Sequence, residues 1–401
     1  MSKLTKRIMN ILFINDNNIS PQCGGIERIT DVLAQYLEGG YDDKCFLAYY
    51  KDLPFKSVSN SFCLYEKLIH GSEYKQLVDI IKRYNINNVI VQQLPELMIS
   101  LKSINKELGG KFQLIYVQHD YLSSNLTESI YNYICFLWKY GKFSERIKSF
   151  IKMIIFPFYK IYSKILLYNK FYPAFCAADR IVLLSDKFIP YGKRLIGDYN
   201  LHKISVIGNC LTLDTTIDIH ELPNKRKEVL IVSRLNEDRK RISLALRIWK
   251  LVKENTIADD WKLIIVGQGK HLNIYKKMVQ DWNLMDISFV GTQESVISYY
   301  KSASIFMMTS DVEGWGLTLT ESLQMGVIPL AFDTFESLTD IIQNGYNGYL
   351  IPKYDIQSYS QKIWELMSDA VRRGDMAKQC LESSQKHSPE LVVKKWHNIM
   401  L

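Results

Sequence analysis

The 401-residue chain contains no Cys-x-x-Cys pair, and its seven cysteines (Cys23, Cys45, Cys63, Cys135, Cys176, Cys210 and Cys380) stand far apart. An odd, dispersed set supplies neither a disulfide framework nor the paired ligands of a zinc site, so a reducing compartment is expected. Nor does any stretch approach the roughly 18–20 charge-free apolar residues of a spanning helix. The start of the chain sets Lys3, Lys6 and Arg7 before an apolar run, Ile8 to Ile14. That run is short, contains Asn10 and meets Asn15-Asp16 where an export signal would carry small residues, so it reads as a first buried strand. Solenoid-period repeats and low-complexity tracts are absent. The fingerprint G-x-G-x-x-G does not follow the first strand, which counts against a two-domain nicotinamide oxidoreductase. The missing export signal counts against a secreted binding protein.

What is present is a composition 47% hydrophobic and 23% charged, that of a soluble chain with real cores. Its length suits two domains. The net charge of +8 is modest and does not by itself indicate nucleic acid. Two halves repeat one grammar of apolar strand, polar or glycine-containing turn and amphipathic helix. In the first half, strands are expected at Ile8–Ile14, Cys45–Tyr49, Val89–Gln92, Leu114–Gln118 and Arg180–Leu184, with a helix from about Ile26 to Leu37. The second half restarts at Glu228–Ser233, with a helix over Ser243–Glu254 and strands at Lys262–Val266, Ile287–Val290, Ile305–Thr309 and Val327–Ala331. Nearly all-apolar strands alternating with helices predict α/β architecture with two parallel, doubly wound, Rossmann-like sheets. We place the domains at 1–212 and 213–385, with a terminal helix of about 386–401 packing back on the first. Ligands of such sheets bind at the carboxyl ends of the strands, in a cleft between the facing domains.

The loops expected after strands hold the chemistry. Ser310-Asp311-Val312-Glu313-Gly314-Trp315-Gly316-Leu317-Thr318-Leu319-Thr320-Glu321 runs from a strand into a helix. Gly316 lets backbone approach a ligand, and the N–H groups of Leu317 and Thr318 open the helix as a phosphate seat. Glu313 and Glu321 are eight positions apart, cannot share a helix face, and must address different parts of a ligand. Arg234 and Lys240 follow another strand and can clamp a diphosphate. Gly267-x-Gly269 suits a turn beside a nucleotide and equally a plain strand-to-helix turn. Gly24-Gly25 at the mouth of the first helix can offer N–H groups to a phosphate. His119, before Asp120 at a strand end, is placed to touch a sugar hydroxyl or carry a proton.

Taken together, these residues resemble the family 4 glycosyltransferases of GT-B fold, over nearly the whole chain. The resemblance rests on Gly24-Gly25-x-Glu27-Arg28, His119, Arg180-Ile181-Val182 with Ser185, Val206–Asn209, Ser233-Arg234-Leu235 with Lys240, Val266-Gly267-x-Gly269, Phe289-Val290-Gly291, the Glu313–Glu321 string and the Asn344–Pro352 ending. It implies a retaining transferase that moves a hexose from a nucleotide-diphosphate sugar, UDP- or GDP-linked, to a glycan or lipid-linked acceptor. Arg234 and Lys240 would bind the donor diphosphate, Glu321 the ribose hydroxyls and Glu313 the transferred sugar. Gly25 would close over the phosphates, and the backbone around Gly291 would meet the base. No metal or other cofactor is implied. Gly208 stands where the family often has proline, and Arg239 and Arg241 flank Lys240 at a spacing one longer than in many members. A non-hydrolysing sugar-nucleotide epimerase of the same fold is the alternative.

One stretch lies outside that pattern. Residues 139–170 hold eight Lys or Arg against the single Glu145, interleaved with bulky apolar residues at helical spacing. Pro157 is expected to break or kink this helix. The combination suits an anionic membrane surface, and it also suits a helix pair packed on its own domain. A cytoplasmic protein, peripheral on the inner face of the membrane and without nucleic-acid partners, is the expectation.

Overall fold

The computed structural model describes residues 8–19, 24–51, 60–64, 72–119 and 125–401; Met1–Arg7, Cys23 and Asp120 fall outside them. Strands β1 (Asn10–Asn17), β2 (Lys44–Lys51), β3 (Ser61–Cys63), β4 (Asn88–Gln92), β5 (Gln113–Gln118), β6 (Arg180–Leu183) and β7 (Ile204–Val206) form a parallel sheet of order β3-β2-β1-β4-β5-β6-β7. Strands β8 (Arg226–Val232), β9 (Lys262–Val266), β10 (Ile287–Gly291), β11 (Ala303–Met308), β12 (Ile328–Phe332) and β13 (Tyr349–Ile351) form a second, of order β10-β9-β8-β11-β12-β13. Every neighbouring pair is parallel, so each link needs a crossover, and the crossovers cover both faces. That is why Ile11 to Ile14 and Val89 to Val91 are all buried without alternation. The expected strands are present. The short edge strands β3, β7 and β13 carry too few residues for a periodic pattern to register.

In both sheets the order reverses once, between β1 and β4 and between β8 and β11. At such a switch point the two outgoing connections leave in opposite directions and expose the strand ends between them.

The chain divides into two compact units. Unit 1 comprises 1–120, 164–212 and 388–401, and unit 2 comprises 121–163 and 213–387. The division therefore departs from a first domain of 1–212, because residues 121–163 group with the second sheet. The reason is polar contact that sequence spacing does not reveal. From the helix Asn125–Tyr140, the Ser129 hydroxyl donates to the Asp238 carbonyl at 2.6 Å, Asn132 donates to the Tyr354 hydroxyl at 2.9 Å, and Glu128 pairs with Lys353 at 2.5 Å. The next helix, Phe143–Ala177, runs through Pro157 without the expected break. Pro157 is exposed, so water can bond the carbonyl that its missing N–H leaves unpaired.

The terminal helix Pro389–Met400 belongs to unit 1 and packs on the helix Gly25–Tyr41. Buried Asp43 is the tie. Its carboxylate accepts from the Met9 N–H at 2.9 Å and from His397 Nδ1 at 3.3 Å, while the His397 ring stacks on Tyr41 at 3.9 Å. Asp43→Ala is expected to cost about 1–3 kcal/mol by stranding two buried donors. Chemical denaturation should show it, and His397→Ala should recover less than the sum in a double-mutant cycle.

Candidate functional site

The switch point of unit 2 sets the loop after β8 beside the loop after β11. After β8, the Ser233 N–H donates to the Val266 carbonyl at 3.0 Å and the Leu235 N–H to the Gln268 carbonyl at 2.9 Å. The loop after β9 lies so close that a Cβ on Gly267 would sit 2.0 Å from the Ser233 carbonyl oxygen. On Gly269 it would meet three Leu235 backbone atoms at 2.5–2.7 Å. Gly267 also has φ +127°, outside the reach of L side chains. Both glycines thus answer to loop packing. Gly267 N–H donates to the Gly291 carbonyl at 2.8 Å, which brings those two positions together at adjacent strand ends.

Lys240 and Glu313 meet directly: the Lys240 ammonium pairs with Glu313 Oε1, both side chains mostly buried. Backbone ties enforce this meeting. The Thr309 hydroxyl at the end of β11 donates to the carbonyls of Lys240 (3.0 Å) and Arg241 (3.1 Å), and the Asp311 N–H donates to the Arg239 carbonyl at 2.8 Å. Arg241 itself adopts the left-handed conformation, φ +52° and ψ +43°. A side chain there is strained and persists only when its surroundings over-determine it. They do so here: the guanidinium lies 3.6 Å from Asp311 and 3.7 Å from Glu237, and 5.6 Å over the Tyr354 ring. Of the cations flanking Lys240, Arg241 is therefore structural. Arg234 stays exposed on the same loop.

Beneath the loop, buried Glu237 accepts from the Ser243 N–H at 3.1 Å, the Ser243 hydroxyl, and the Tyr275 hydroxyl at 2.9 Å. Burial raises its pKa, as it raises that of Asp311 against the opposing Arg241 charge. The Glu237 N–H donates to His271 Nδ1 at 3.0 Å. That bond needs an unprotonated Nδ1, and burial, followed by the Lys270 charge, lowers the His271 pKa to about 4.

After Glu313 the chain turns through Gly316, φ +96°, into the helix Leu317–Gln324. No side chain caps this helix. The Leu317 and Thr318 N–H groups sit at its half-buried mouth, at the positive end of the helix dipole. Glu321, fully buried one turn in, is held by the Tyr300 hydroxyl, which donates to Oε2 at 3.0 Å. The two carboxylates of the string are accordingly set by different partners, Lys240 and Tyr300.

Unit 1 has its own cluster at strand ends. His119 Nε2 lies 2.5 Å from Gln92 Oε1, so with an amide oxygen as acceptor Nε2 carries the proton. Gln92 Nε2 and Asn15 Nδ2 each donate to the Thr30 hydroxyl at 3.2 Å. Gly25 opens the helix Gly25–Tyr41, again without a side-chain cap.

Within unit 2 the structure thus brings together Lys240, Glu313 and the Gly316-Leu317-Thr318 mouth, with Glu321 one turn deeper. It adds residues that motif reading missed, Tyr300 and Glu237 in unit 2 and Gln92 and Thr30 in unit 1, and it gives Arg241 and Asp311, which the motifs named without a role, a structural one. Gln92, a polar residue closing an apolar strand, left a signal in the sequence. Tyr300, which precedes β11, left none. Among the described residues no cluster of His, Cys, Asp or Glu has the arrangement of a metal site.

Residues 214–387 match the family described as Glycosyl transferases group 1. The chain is 26% identical over 228 residues to the amylovoran biosynthesis glycosyltransferase AmsD of Erwinia amylovora, covering 56% of this chain and 62% of that protein. It is 28% identical over 188 residues to the poly(glycerol-phosphate) alpha-glucosyltransferase of Bacillus subtilis, covering 46% and 28%. The chain therefore spans less than two thirds of these relatives. In fold it is similar to the pneumococcal O-GlcNAc transferase GtfA, solved with UDP and GlcNAc, at TM-score 0.69 and 14% identity over 98% of each chain.

Two outcomes are expected. Gly269→Ala should destabilise unit 2 by about 1–3 kcal/mol through overpacking against Leu235, seen as a lower denaturation midpoint. His271 has a folded-state pKa below its unfolded value of about 6.5, so the unfolded chain binds the extra proton. Its stabilising contribution is complete above pH 6.5 and declines as pH falls toward 4. His271→Asn should flatten that part of a melting-temperature profile against pH.

Proposed function

From the match of residues 214–387 to the family described as Glycosyl transferases group 1, in a chain of GT-B fold, we propose that this protein is a retaining hexosyltransferase. Its donor is a nucleotide-diphosphate sugar, UDP- or GDP-linked. Its acceptor is a glycan or lipid-linked chain in cell-surface polysaccharide synthesis. The relatives' printed activities, amylovoran biosynthesis and alpha-glucosyl transfer to a poly(glycerol-phosphate), support that class. The enzyme works in the cytoplasm at the inner membrane face, where residues about 139–170 meet anionic lipid.

The observation that carries the reading is the Lys240–Glu313 pair beside the uncapped Leu317 helix. A diphosphate seated on the Leu317 and Thr318 N–H groups would find a fixed cation in Lys240 and an exposed one in Arg234. These stabilise charge as it develops on the leaving phosphate, the role a metal takes elsewhere. Glu313, held by Lys240, lies against the sugar, and Glu321, oriented by Tyr300, accepts from the ribose hydroxyls. Gly291 and its neighbours meet the base. The bond from C1 to the diphosphate breaks while the acceptor oxygen bonds C1 on the same face. The acceptor's proton passes to the departing phosphate oxygen. Glu313 then orients and steadies the ring.

A thermal-shift screen of nucleotide-sugars should single out one donor, since ligand at 100 times its Kd adds about 2.7 kcal/mol. With that donor, Lys240→Ala and Glu313→Gln are expected to lower kcat by about 10²-fold or more. Glu321→Ala should weaken binding of the nucleoside diphosphate itself. Release of nucleoside diphosphate at the wild-type rate by Lys240→Ala would refute the assignment.

A further inference from the structure

The helix Phe143–Ala177 is built inside out. Of the 27 large apolar side chains exposed among the described residues, 14 lie on this one helix. The extremes are Phe143 at 79%, Phe158 at 77% and Ile161 at 66% exposed. At about 100° per residue, these 14 positions fall within roughly half the helix circumference. The residues the helix buries, among them Ser149, Ser163, Phe171 and Ala174, fall on the other half. A helix packed for its own domain turns its apolar stripe inward; this one packs through small and a few aromatic residues and presents isoleucine and phenylalanine outward.

The patch has the chemistry of an interface between oil and water. Tyr159, Tyr162, Tyr168 and Tyr172 add exposed rings to it, and such amphipathic rings favour headgroup depth. From the preceding helix the half-exposed Trp138 extends it, its ring 5.5 Å from Phe150 with the Arg146 guanidinium 5.7 Å above. Arg146, Lys160 and Lys164 fall on the half away from the apolar arc, with Lys148 and Lys152 at its edge. Long basic side chains at an edge can reach back to anionic headgroups while the arc is covered. No described helix is long and apolar enough to cross a membrane.

We propose that this arc inserts into the headgroup and upper acyl region of an anionic bilayer, with the helix lying parallel to the surface along about 50 Å of its length. A second copy of the chain suits the patch poorly, because pairing two such arcs would set the edge cations Lys148 and Lys152 of each helix near those of the other. The inference deepens the peripheral location already proposed and is independent of the transfer chemistry. It makes one commitment beyond that location: apolar insertion, not charge, holds the protein on the membrane, and charge selects which membrane.

The experiment is flotation of the full chain with vesicles of phosphatidylcholine alone and of phosphatidylcholine mixed with phosphatidylglycerol, at low salt and at about 1 M salt, where charge attraction is screened within about 3 Å. The chain should float with the mixed vesicles and stay bound in high salt. The triple variant Phe143→Ser, Phe158→Ser, Ile161→Ser should bind at least tenfold more weakly. These positions are exposed, so folding should survive, and an unchanged melting temperature and donor-induced thermal shift check that. Substituting Lys148, Lys152, Lys160 and Lys164 by Gln should reduce the preference for phosphatidylglycerol more than it reduces salt-resistant binding. No flotation, full release by salt, or a triple variant that binds like the wild type would overturn the proposal. So would a dimer in light scattering that the triple variant dissociates, which would assign the arc to a second copy. Because the donor shift is read on the same samples, failure of the transferase reading appears separately.

Discussion

A parallel strand cannot turn straight back on its neighbour; the chain must cross over the sheet before it pairs again. The consequences organise unit 2. Strands β8 and β11 are adjacent in the sheet, yet about seventy residues separate them, and their outgoing loops leave toward opposite sides. The loops that follow these strands therefore come together at the one place where neither crossover lies between them. Arg234 and Lys240 sit on the first loop; Glu313 and the Leu317 helix follow the second. Pairing of Lys240 with Glu313 is the point at which the two loops lock.

Holding that pair has a cost that the surrounding residues offset. Arg241 sits in a backbone conformation suited to glycine, and its charge is largely removed from water. Two acidic groups, one aromatic face and the Thr309 hydroxyl on its carbonyl keep it there. Ser129 and Asn132, from a helix far upstream in the chain, belong to the same polar layer through Asp238 and Tyr354. The loop bearing Lys240 is thereby fixed from below by Glu237 and His271, and from the side by the upstream helix. Preorganisation of this kind suits the role proposed for the site, stabilising charge on a leaving phosphate without first rearranging itself.

The helix Phe143–Ala177 also departs from the usual economy of globular surfaces. Apolar side chains exposed singly need no explanation, but an exposed arc running the length of one helix does. The same chain that buries Trp249, Tyr275 and Tyr359 completely leaves Phe143 and Phe158 in the open. The difference lies in what each face meets, not in how hydrophobic the segment is.

By itself, the sequence determined all but the short edge strands, their parallel pairing class and the order of the loops, because β-branched runs and glycine turns act over a few residues. It also named the residues of the loop after β11, since one contiguous string carries Glu313, Gly316 and Glu321. Only the tertiary structure decided which cation Glu313 meets, that Arg241 is a structural prop, and that Gly267 and Gly269 serve packing against Ser233 and Leu235. Tyr300 and the placement of residues 121–163 were likewise beyond local reading. Each depends on side chains brought together across long stretches of chain, where spacing has no period to detect. The outward direction of the Phe143–Ala177 arc belongs with these: periodicity shows that a helix has an apolar face, while packing alone sets which way that face looks.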